Sequence, residues 1–204
     1  QGYSSAASDV YKRQVVCNSH RSSFNHAIAE VVRKIYDKTD NIVYFHDLYE
    51  EGFKPILPQK EIDSRTLEKL DIYVKRTCKE LIESDVLVFI HPNWWGMPPA
   101  LMKGWIDRIF RQGVAYKFDA LGKAIGLLEN KKAYVFNTAN TPKEVEEKLY
   151  GDPLDNLWKN CILGMCGVTD VERVVFYGVI RSTDEMREKW LLKVQEVLEE
   201  EEEI

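Results

Sequence analysis

Short apolar runs and helical patterns of apolar residues alternate along the chain. Several of the runs carry apolar residues on both faces, as in strands that are covered by helices on both sides. The alternation predicts an α/β fold in which one parallel sheet lies between two layers of helices. The predicted strands are residues 14–18 (QVVCN), 41–45 (NIVYF), 86–90 (VLVFI), 133–138 (AYVFNT) and 172–179 (ERVVFYGV). Helical spacing of three and four links Leu67, Leu70, Val74, Cys78 and Leu81, and later Met186, Trp190, Val194 and Leu198.

Two of the helical patterns follow residues that commonly start a helix. Ser64 precedes the pattern that begins at Leu67, and Thr183 precedes Asp184 and Glu185. A hydroxyl caps the first backbone N–H groups of a helix, and carboxylates in the first turn favour its positive end. We therefore expect one helix to begin near Ser64 and another near Thr183.

The length and composition of the chain predict one domain. The chain has 204 residues, 45% of them hydrophobic, and no linker rich in Gly, Pro or Ser divides it. This content is enough for one sizeable core, which we place in residues 11–204. Residues 1–10 are set apart, because the start QGYSSAASDVYKR has no initiator Met and looks like the vector-derived end of a translated fragment. We expect that segment to be non-native or disordered.

Charge and hydropathy narrow the classes of function. The net charge of −5 argues against nucleic acid as a partner. The chain has no run of about 20 apolar residues and no signal peptide, so we expect a cytoplasmic protein without a membrane span. The cysteines lie inside apolar patterns without metal-ligand spacing, which predicts buried free thiols and no metal site. They are Cys17, Cys78, Cys161 and Cys166.

The first loop of interest follows the first predicted strand. In parallel α/β sheets, ligands bind beyond the carboxyl ends of the strands. Residues 18–27 (NSHRSSFNHA) offer an anion hydroxyls, an arginine, a histidine and backbone N–H groups at a helix start. The loop contains no glycine, so it is neither a dinucleotide fingerprint nor a P-loop. Simple capping of the helix by Ser22 or Ser23 explains the same residues.

The second loop, within residues 91–110 (HPNWWGMPPALMKGWIDRIF), is rich in proline and tryptophan. Three prolines restrict the backbone, and Gly96 permits a turn or the close approach of a ligand. Trp94 and Trp95 are adjacent and cannot both face one core, so we expect at least one to line a surface or cleft. This composition suits a flat aromatic ligand on a rigid backbone. An aromatic anchor under a loop or at a dimer contact is the alternative.

The third loop, residues 137–142 (NTANTP), consists of small and amide residues between a strand and a helix. Alone it indicates little. Three polar or aromatic loops after three strands of one sheet indicate a binding site more strongly than any one of them.

Together these motifs resemble those of a known family. RSSFNHAIAE, HPNWWGMPPALMKGWIDRIF, AYKF, the third loop and GDPLDNLWKNCILGMCGV are similar to segments of the flavodoxin-like NAD(P)H quinone oxidoreductases. That family includes mammalian-type quinone reductases and bacterial ones associated with potassium-efflux systems. The most specific element is the proline, aromatic-aromatic-glycine and Pro-Ala-Leu-x-Lys-Gly-Trp run. The resemblance implies a flavodoxin-like three-layer sandwich with strand order 2-1-3-4-5, a tightly held flavin and a homodimer.

The resemblance also assigns residues to a flavin site. It gives the flavin phosphate loop to Asn18, Arg21, Ser22, Ser23, Phe24 and Asn25. It gives the edge of the flavin ring to Pro92, Asn93, Trp94, Trp95 and Gly96, largely through backbone amides, and the far side to Thr138, Ala139, Asn140 and Thr141. It places Tyr116 and Phe118 in the wall of a nicotinamide and quinone pocket, contributed by the neighbouring subunit.

The chain departs from the family pattern at three positions. Asn18 stands where many relatives have His, Asn140 stands in a loop often occupied by glycines, and Tyr150 stands where mammalian-type enzymes carry a catalytic His. A phenol can donate a hydrogen bond as charge builds on a flavin or quinone oxygen. We therefore predict catalytic roles for Tyr150 and Tyr116. The alternative for Tyr150 is simple packing on the following helix.

The implied function is two-electron reduction of quinones or similar acceptors. NADH or NADPH passes hydride to the flavin and leaves, and the acceptor then takes the same pocket, in a ping-pong sequence. FMN is favoured over FAD, because relatives with an extended C-terminal part generally use FAD, whereas this chain ends with one helix. The alternatives are a flavodoxin-type electron carrier and a regulatory flavoprotein subunit of an ion-efflux system. Acidic loops would indicate a carrier, whereas these loops contain Arg21, His20 and two tryptophans.

Overall fold

A five-stranded parallel sheet forms the centre of the molecule. The computed structural model describes residues 10–38, 41–64 and 66–202. Its strands are β1 (Tyr11–Val16), β2 (Ile42–Asp47), β3 (Val86–Pro92), β4 (Tyr116–Phe118), β5 (Ala124–Gly126), β6 (Lys132–Ala139) and β7 (Asp170–Tyr177). The parallel sheet has the order β2-β1-β3-β6-β7, and β4 and β5 form a separate antiparallel pair. Counting only the strands of the parallel sheet, this order is 2-1-3-4-5, which confirms the prediction.

Helices cover both faces of this sheet. They are α1 (Phe24–Tyr36), α2 (Gln59–Asp63), α3 (Ile72–Glu83), α4 (Ala100–Ile109), α5 (Pro153–Asn156) and α6 (Asp184–Glu202). The chain continues from α5 into a wider helical segment, Leu157–Gly164. One core lies between the sheet and α1 with α6, and the other lies between the sheet and α3, α4 and the segment after α5. The predicted three-layer sandwich is confirmed.

The alternation of side chains along the strands divides these two cores. Successive residues of a strand point to opposite faces of the sheet. Val15 therefore packs in the core under α3 and α4, whereas Val16 packs against α1. Leu87 and Val88 on β3 divide in the same way. This explains why an inner strand such as residues 86–90 carries apolar residues on both faces.

Several element boundaries differ from the sequence prediction. The predicted helix start at Ser64 is wrong, because Leu67–Lys69 is a short 3-10 turn followed by extended backbone at Leu70. Helix α3 begins at Ile72, where the side chain of Asp71 accepts a hydrogen bond from the N–H of Tyr73 (3.0 Å). The prediction for α6 is confirmed, since the hydroxyl of Thr183 accepts from the N–H of Met186 (3.3 Å).

The predictions for the first strand and for the thiols are also partly wrong. β1 occupies Tyr11–Val16 rather than residues 14–18, so Cys17 and Asn18 already belong to the first loop. The expectation of buried thiols holds for three cysteines but is wrong for Cys161, which is exposed. Of the segment predicted to be non-native, residues 1–9 lie outside the described residues. Within the described ranges, no helix combines the length and the apolar character that crossing a membrane requires.

Candidate functional site

The three loops meet at the carboxyl ends of β1, β3 and β6, where they line a cavity of about 460 Å³ that we call the strand-end cavity. It adjoins a second cavity of about 760 Å³, the tryptophan cavity, and both are lined by Asn93, Trp94 and Asn140. The strand-end cavity is further lined by Asn18, Ser22, Ser23, Phe24, Asn25, Pro92, Thr138, Ala139, Val179, Ile180 and Arg187. The tryptophan cavity is further lined by Trp95, Gly96, Thr141, Glu146, Tyr150 and Pro153.

The first loop brings a capped helix start to the strand-end cavity. Ser23 caps α1 by accepting a hydrogen bond from the N–H of His26 (3.3 Å). The N–H groups of Phe24 and Asn25 lie in the first turn, where no carbonyl of the same helix reaches them. These donors and the positive end of the helix dipole favour an anion. The two explanations of this loop, a cap and an anion site, are therefore compatible.

Arg21 is the one residue assigned to the phosphate loop that does not line the strand-end cavity. Its guanidinium is paired with Glu50, and its side chain is 76% exposed. A cation that sequence reasoning missed lines the cavity instead. Arg187, in the first turn of α6, donates from Nε to the hydroxyl of Ser182 (2.8 Å). An arginine in the first turn of a helix is unusual, because that end of the helix is positive. This unusual position was the feature of the sequence that could have identified Arg187.

The second loop forms a tight turn of fixed geometry. Trp94 and Met97 exchange two backbone hydrogen bonds (3.0 Å each), and the central residues Trp95 and Gly96 have φ of 59° and 71°. The N–H of Gly96 donates to Oδ1 of Asn93 (2.9 Å). Of the backbone amides that the resemblance assigns to the ring edge, those of Asn93, Trp94 and Gly96 are therefore already bonded within the chain. Among the described residues, the N–H of Trp95 has no partner.

The tryptophans and Gly96 shape the boundary between the two cavities. Trp95 is 99% exposed and Trp94 is 61% exposed, so the prediction that at least one lines a surface is confirmed for both. A tryptophan with positive φ is strained, and such strain is concentrated at functional sites. A Cβ added to Gly96 would lie 2.5 Å from Cγ of Pro153. Glycine is therefore required here both by φ and by the approach of Pro153.

The third loop is tied to the other two. The side chains of Asn25 and Thr138 are both buried and hydrogen-bonded to each other (3.0 Å), which joins the first loop to the third. The N–H of Asn93 donates to the carbonyl of Thr138 (2.6 Å), which joins the second loop to the third. The side chain of Asn140 accepts from the N–H of Ile180 (3.1 Å). The loops around the strand-end cavity are thus fixed by bonds within one chain.

A network of buried polar side chains lies at the ends of β3 and β6 and reaches the segment that lines the tryptophan cavity. His91 is fully buried, and burial lowers the pKa of its imidazole to about 4, so the ring is neutral. Its Nε2 accepts from Nε1 of Trp158 (3.0 Å), and Asn137 lies beside the same ring. Asn137 in turn accepts from Nε of Arg173 (2.7 Å), whose Nη1 donates to Asp152 (2.7 Å). The network connects the ends of β3 and β6 to the segment that carries Tyr150.

The predicted catalytic tyrosines lie apart within one chain. Tyr150 lines the tryptophan cavity and is 57% exposed. Tyr116 lies on β4 and lines a different, smaller cavity beside Phe110 and Arg111. Phe118 packs edge-on against Tyr116, with ring centroids 5.6 Å apart. The structure of one chain therefore does not bring Tyr116 and Phe118 to the tryptophan cavity.

Comparisons with known proteins agree with this architecture. A protein of Haemophilus influenzae named as an uncharacterized NAD(P)H oxidoreductase is 30% identical over 178 residues, covering 87% of this chain and 87% of that protein. An FMN-dependent NADH:quinone oxidoreductase of Pelagibacter ubique is 29% identical over 136 residues, covering 67% of each. The crystal structure of Smu.1420 from Streptococcus mutans matches with a TM-score of 0.80 at 30% identity, covering 91% of this chain and 97% of that one.

The family match itself spans the site. The family model for the flavodoxin-like fold matches residues 13–198. This range runs from β1 into α6, so it includes the three loops and Arg187. The resemblance inferred from the sequence motifs is confirmed. The chain therefore belongs to the family with the flavodoxin-like fold.

Proposed function

We propose that the protein is an FMN-dependent NAD(P)H oxidoreductase that reduces quinones or similar acceptors by two-electron hydride transfer. The observation that carries this proposal is the junction of two unlike cavities at Asn93, Trp94 and Asn140. One cavity is lined mainly by polar groups and ends at a helix N-terminus, whereas the other has mainly apolar walls with aromatic side chains. A phosphate-bearing aromatic cofactor suits both halves at once.

The residues present fit FMN. Ser22, Ser23 and the first turn of α1 offer hydroxyl and N–H donors for a phosphate, and Arg187 supplies a positive charge. The turn at Trp95 and Gly96 presents a backbone strip with one unpartnered N–H, which is suited to the polar edge of a flat ring. Bound FMN would supply two-electron redox chemistry between a nicotinamide and an acceptor.

The chain's own groups would position and polarise the substrates. The N–H of Trp95 is a fixed donor that favours negative charge without reorganisation. Tyr150 places a phenol at the tryptophan cavity, where its O–H can donate to an acceptor oxygen on which charge develops. Because one cavity receives both NAD(P)H and the acceptor in turn, the kinetics are ping-pong.

A second copy of the chain would complete the acceptor pocket. Tyr116 and Phe118 do not reach the tryptophan cavity of their own chain. We propose a homodimer in which these two residues face the tryptophan cavity of the partner, as the family resemblance implies. Trp95 at 99% exposure is available for such a contact.

Steady-state turnover tests the proposal. Purified protein with NADH or NADPH and a simple benzoquinone should show sustained oxidation of the nicotinamide, and initial rates at several acceptor concentrations should give parallel double-reciprocal lines. Absence of turnover with either nicotinamide, while flavin is bound, would favour an electron carrier or a regulatory subunit. Intersecting lines would contradict the shared pocket.

A further inference from the structure

Ser23 lies between two cavities and makes contacts in both directions. It lines the strand-end cavity and also a neighbouring cavity of about 580 Å³, whose lining includes His26 and Asp47. Its Oγ lies 2.9 Å from Nδ1 of His26, and Nε2 of His26 lies 2.9 Å from Oδ2 of Asp47. A serine, a histidine and an aspartate thus form a continuous row that ends at the proposed phosphate site.

Asp47 keeps a proton on Nε2 of His26 whether the imidazole is neutral or positively charged. Asp47 is 7% exposed, and its Oδ1 already accepts the N–H groups of Tyr49 (3.1 Å) and Glu50 (3.3 Å). A carboxylate with so little access to water requires hydrogen-bond donors. Nε2 of His26 therefore donates to Oδ2 of Asp47. Only the proton on Nδ1, which faces Ser23, can come and go.

The hydroxyl of Ser23 has one proton and two lone pairs. One lone pair accepts the N–H of His26 (3.3 Å). When His26 is neutral, Nδ1 is an acceptor and takes the only hydroxyl proton of Ser23. When His26 is protonated, Nδ1–H donates to the second lone pair, and the hydroxyl proton is free to bind an anion in the strand-end cavity. The protonation state of His26 therefore decides whether Ser23 can donate to that cavity.

We propose that His26 is a positioning residue that couples binding of a phosphate at the first loop to uptake of a proton from solvent on Nδ1. The inference rests on the proposed function, because it takes the phosphate to be that of FMN. His26 acts through Ser23 and does not line the strand-end cavity itself. FMN would bind more tightly to the protonated form, whereas riboflavin, which has no phosphate, would not distinguish the two forms.

The other charged groups around His26 already have partners. Arg21 pairs with Glu50, Arg33 lies 3.8 Å from Glu30, and Glu51 lies 2.8 Å from Nδ1 of His46. They come from the first loop, from α1 and from the turn after β2. Asp47 is the carboxylate that pairs with His26. Ser23, His26 and Asp47 therefore act together.

The same loop offers a matched control. Ser22 Oγ lies 2.8 Å from Nδ1 of His20, a second serine–histidine contact. His20 is exposed and, among the described residues, has no carboxylate on its Nε2, so either neutral tautomer is available to it. Without a fixed tautomer the hydroxyl of Ser22 is not committed. His20→Gln should therefore leave the proton linkage unchanged.

Calorimetry on the full, flavin-free chain tests the proposal. FMN and riboflavin are titrated at pH 7.5 in two buffers of different ionisation enthalpy, which gives the protons taken up on binding. FMN should bind to the wild type with net proton uptake that His26→Gln, Asp47→Asn and Ser23→Gly each abolish. Glycine keeps the backbone of a helix cap at small cost, so Ser23→Gly should fold. From pH 6 to pH 8, FMN affinity of the wild type should fall about tenfold relative to His26→Gln.

Each outcome decides a different point. Equal proton uptake in the wild type and His26→Gln would overturn the coupling, while bound FMN would leave the proposed function standing. Uptake that persists in Ser23→Gly would show simple charge attraction and overturn the role of the hydroxyl. Loss of uptake in His20→Gln would overturn the assignment to His26. If the wild type binds neither FMN nor FAD, the proposed function and this inference both fail.

Discussion

The two adjoining cavities differ in how their walls are held. Around the strand-end cavity, Asn25, Thr138 and Asn93 join the three loops through hydrogen bonds within one chain. Around the tryptophan cavity, the side chain of Trp95 is fully in solvent and Tyr150 is 57% exposed. The walls of the strand-end cavity are tied together by hydrogen bonds, whereas the walls of the tryptophan cavity include aromatic side chains that lie mostly in solvent.

This difference matches two kinds of ligand. A preformed polar cavity favours a ligand that stays bound, because little ordering is needed on binding. An aromatic wall whose side chains are exposed and held by few bonds favours ligands that enter and leave. In the proposed function these are FMN and the exchanging pair of NAD(P)H and acceptor.

Gly96→Ala should have the largest effect, because Gly96 lies where the cavities meet. A Cβ there lies 2.5 Å from Cγ of Pro153, at a φ of 71°. We expect unfolding free energy to fall by about 3 to 4 kcal/mol, from backbone strain and overpacking together. Gly122→Ala is the control, with a φ of 81° and open space, and should lose about 1 to 2 kcal/mol. Equal losses in urea unfolding would show that Pro153 moves freely.

Acid should destabilise the buried polar network around His91. Burial lowers the pKa of His91 from 6.5 to about 4, so the folded state binds fewer protons than the unfolded state between these values. Stability from this group is therefore full above about pH 6.5 and falls as pH drops, by up to about 3 kcal/mol near pH 4. Urea unfolding of the wild type and of His91→Gln should differ in this pH slope. An NMR titration of His91 with a midpoint near pH 6.5 would contradict the prediction.

Tyr150→Phe should affect the tryptophan cavity and leave the strand-end cavity intact. A hydrogen bond to a group that becomes charged contributes roughly 1.5 to 3 kcal/mol, so hydride transfer should slow roughly 10- to 100-fold. FMN occupancy should not change. Tyr44→Phe is the control, because Tyr44 lies on β2 and its phenol donates to Glu83, away from both cavities. If stopped-flow rates of flavin reduction and reoxidation both match the wild type, Tyr150 has only a packing role.

Arg187→Gln should act on the strand-end cavity alone and have the smallest effect. The partly exposed guanidinium faces solvent as well as the cavity, so we expect FMN affinity to fall only about fivefold. Riboflavin affinity should stay the same. Arg181→Gln is the control, since Arg181 does not line that cavity. An equal loss for riboflavin in fluorescence titrations would show that Arg187 does not act on the phosphate.

The local sequence pattern was sufficient to predict the parallel sheet, but not the start of α3 or the β4–β5 pair. The inner strands β1, β3 and β6 are buried on both faces, the edge strands β2 and β7 are partly exposed, and the apolar residues of all five were enough to identify them. Their order followed from the family resemblance. The start of α3 was missed, because Ser64 and Leu67 fit a helix locally whereas the chain turns extended at Leu70. The pair β4 and β5 was missed, since three-residue strands carry too little pattern.

The site was predicted in the loops that follow strands and missed where distant segments meet. Loop position placed Asn18, Ser22 and Ser23 at one cavity, as the rule for parallel sheets implies. The pairing of Arg21 with Glu50 and the approach of Arg187 depend on contacts between segments far apart in sequence. Periodicity contains no information on such contacts, nor on the row from Ser23 to Asp47.

The central claim is that the strand-end cavity of a single chain holds FMN. Its most direct test is to purify the protein, denature it and identify any released flavin by chromatography and mass. The account predicts a yellow protein that releases one FMN per chain. A colourless preparation that stays colourless after incubation with FMN and with FAD would contradict it, and release of FAD would overturn the choice of cofactor.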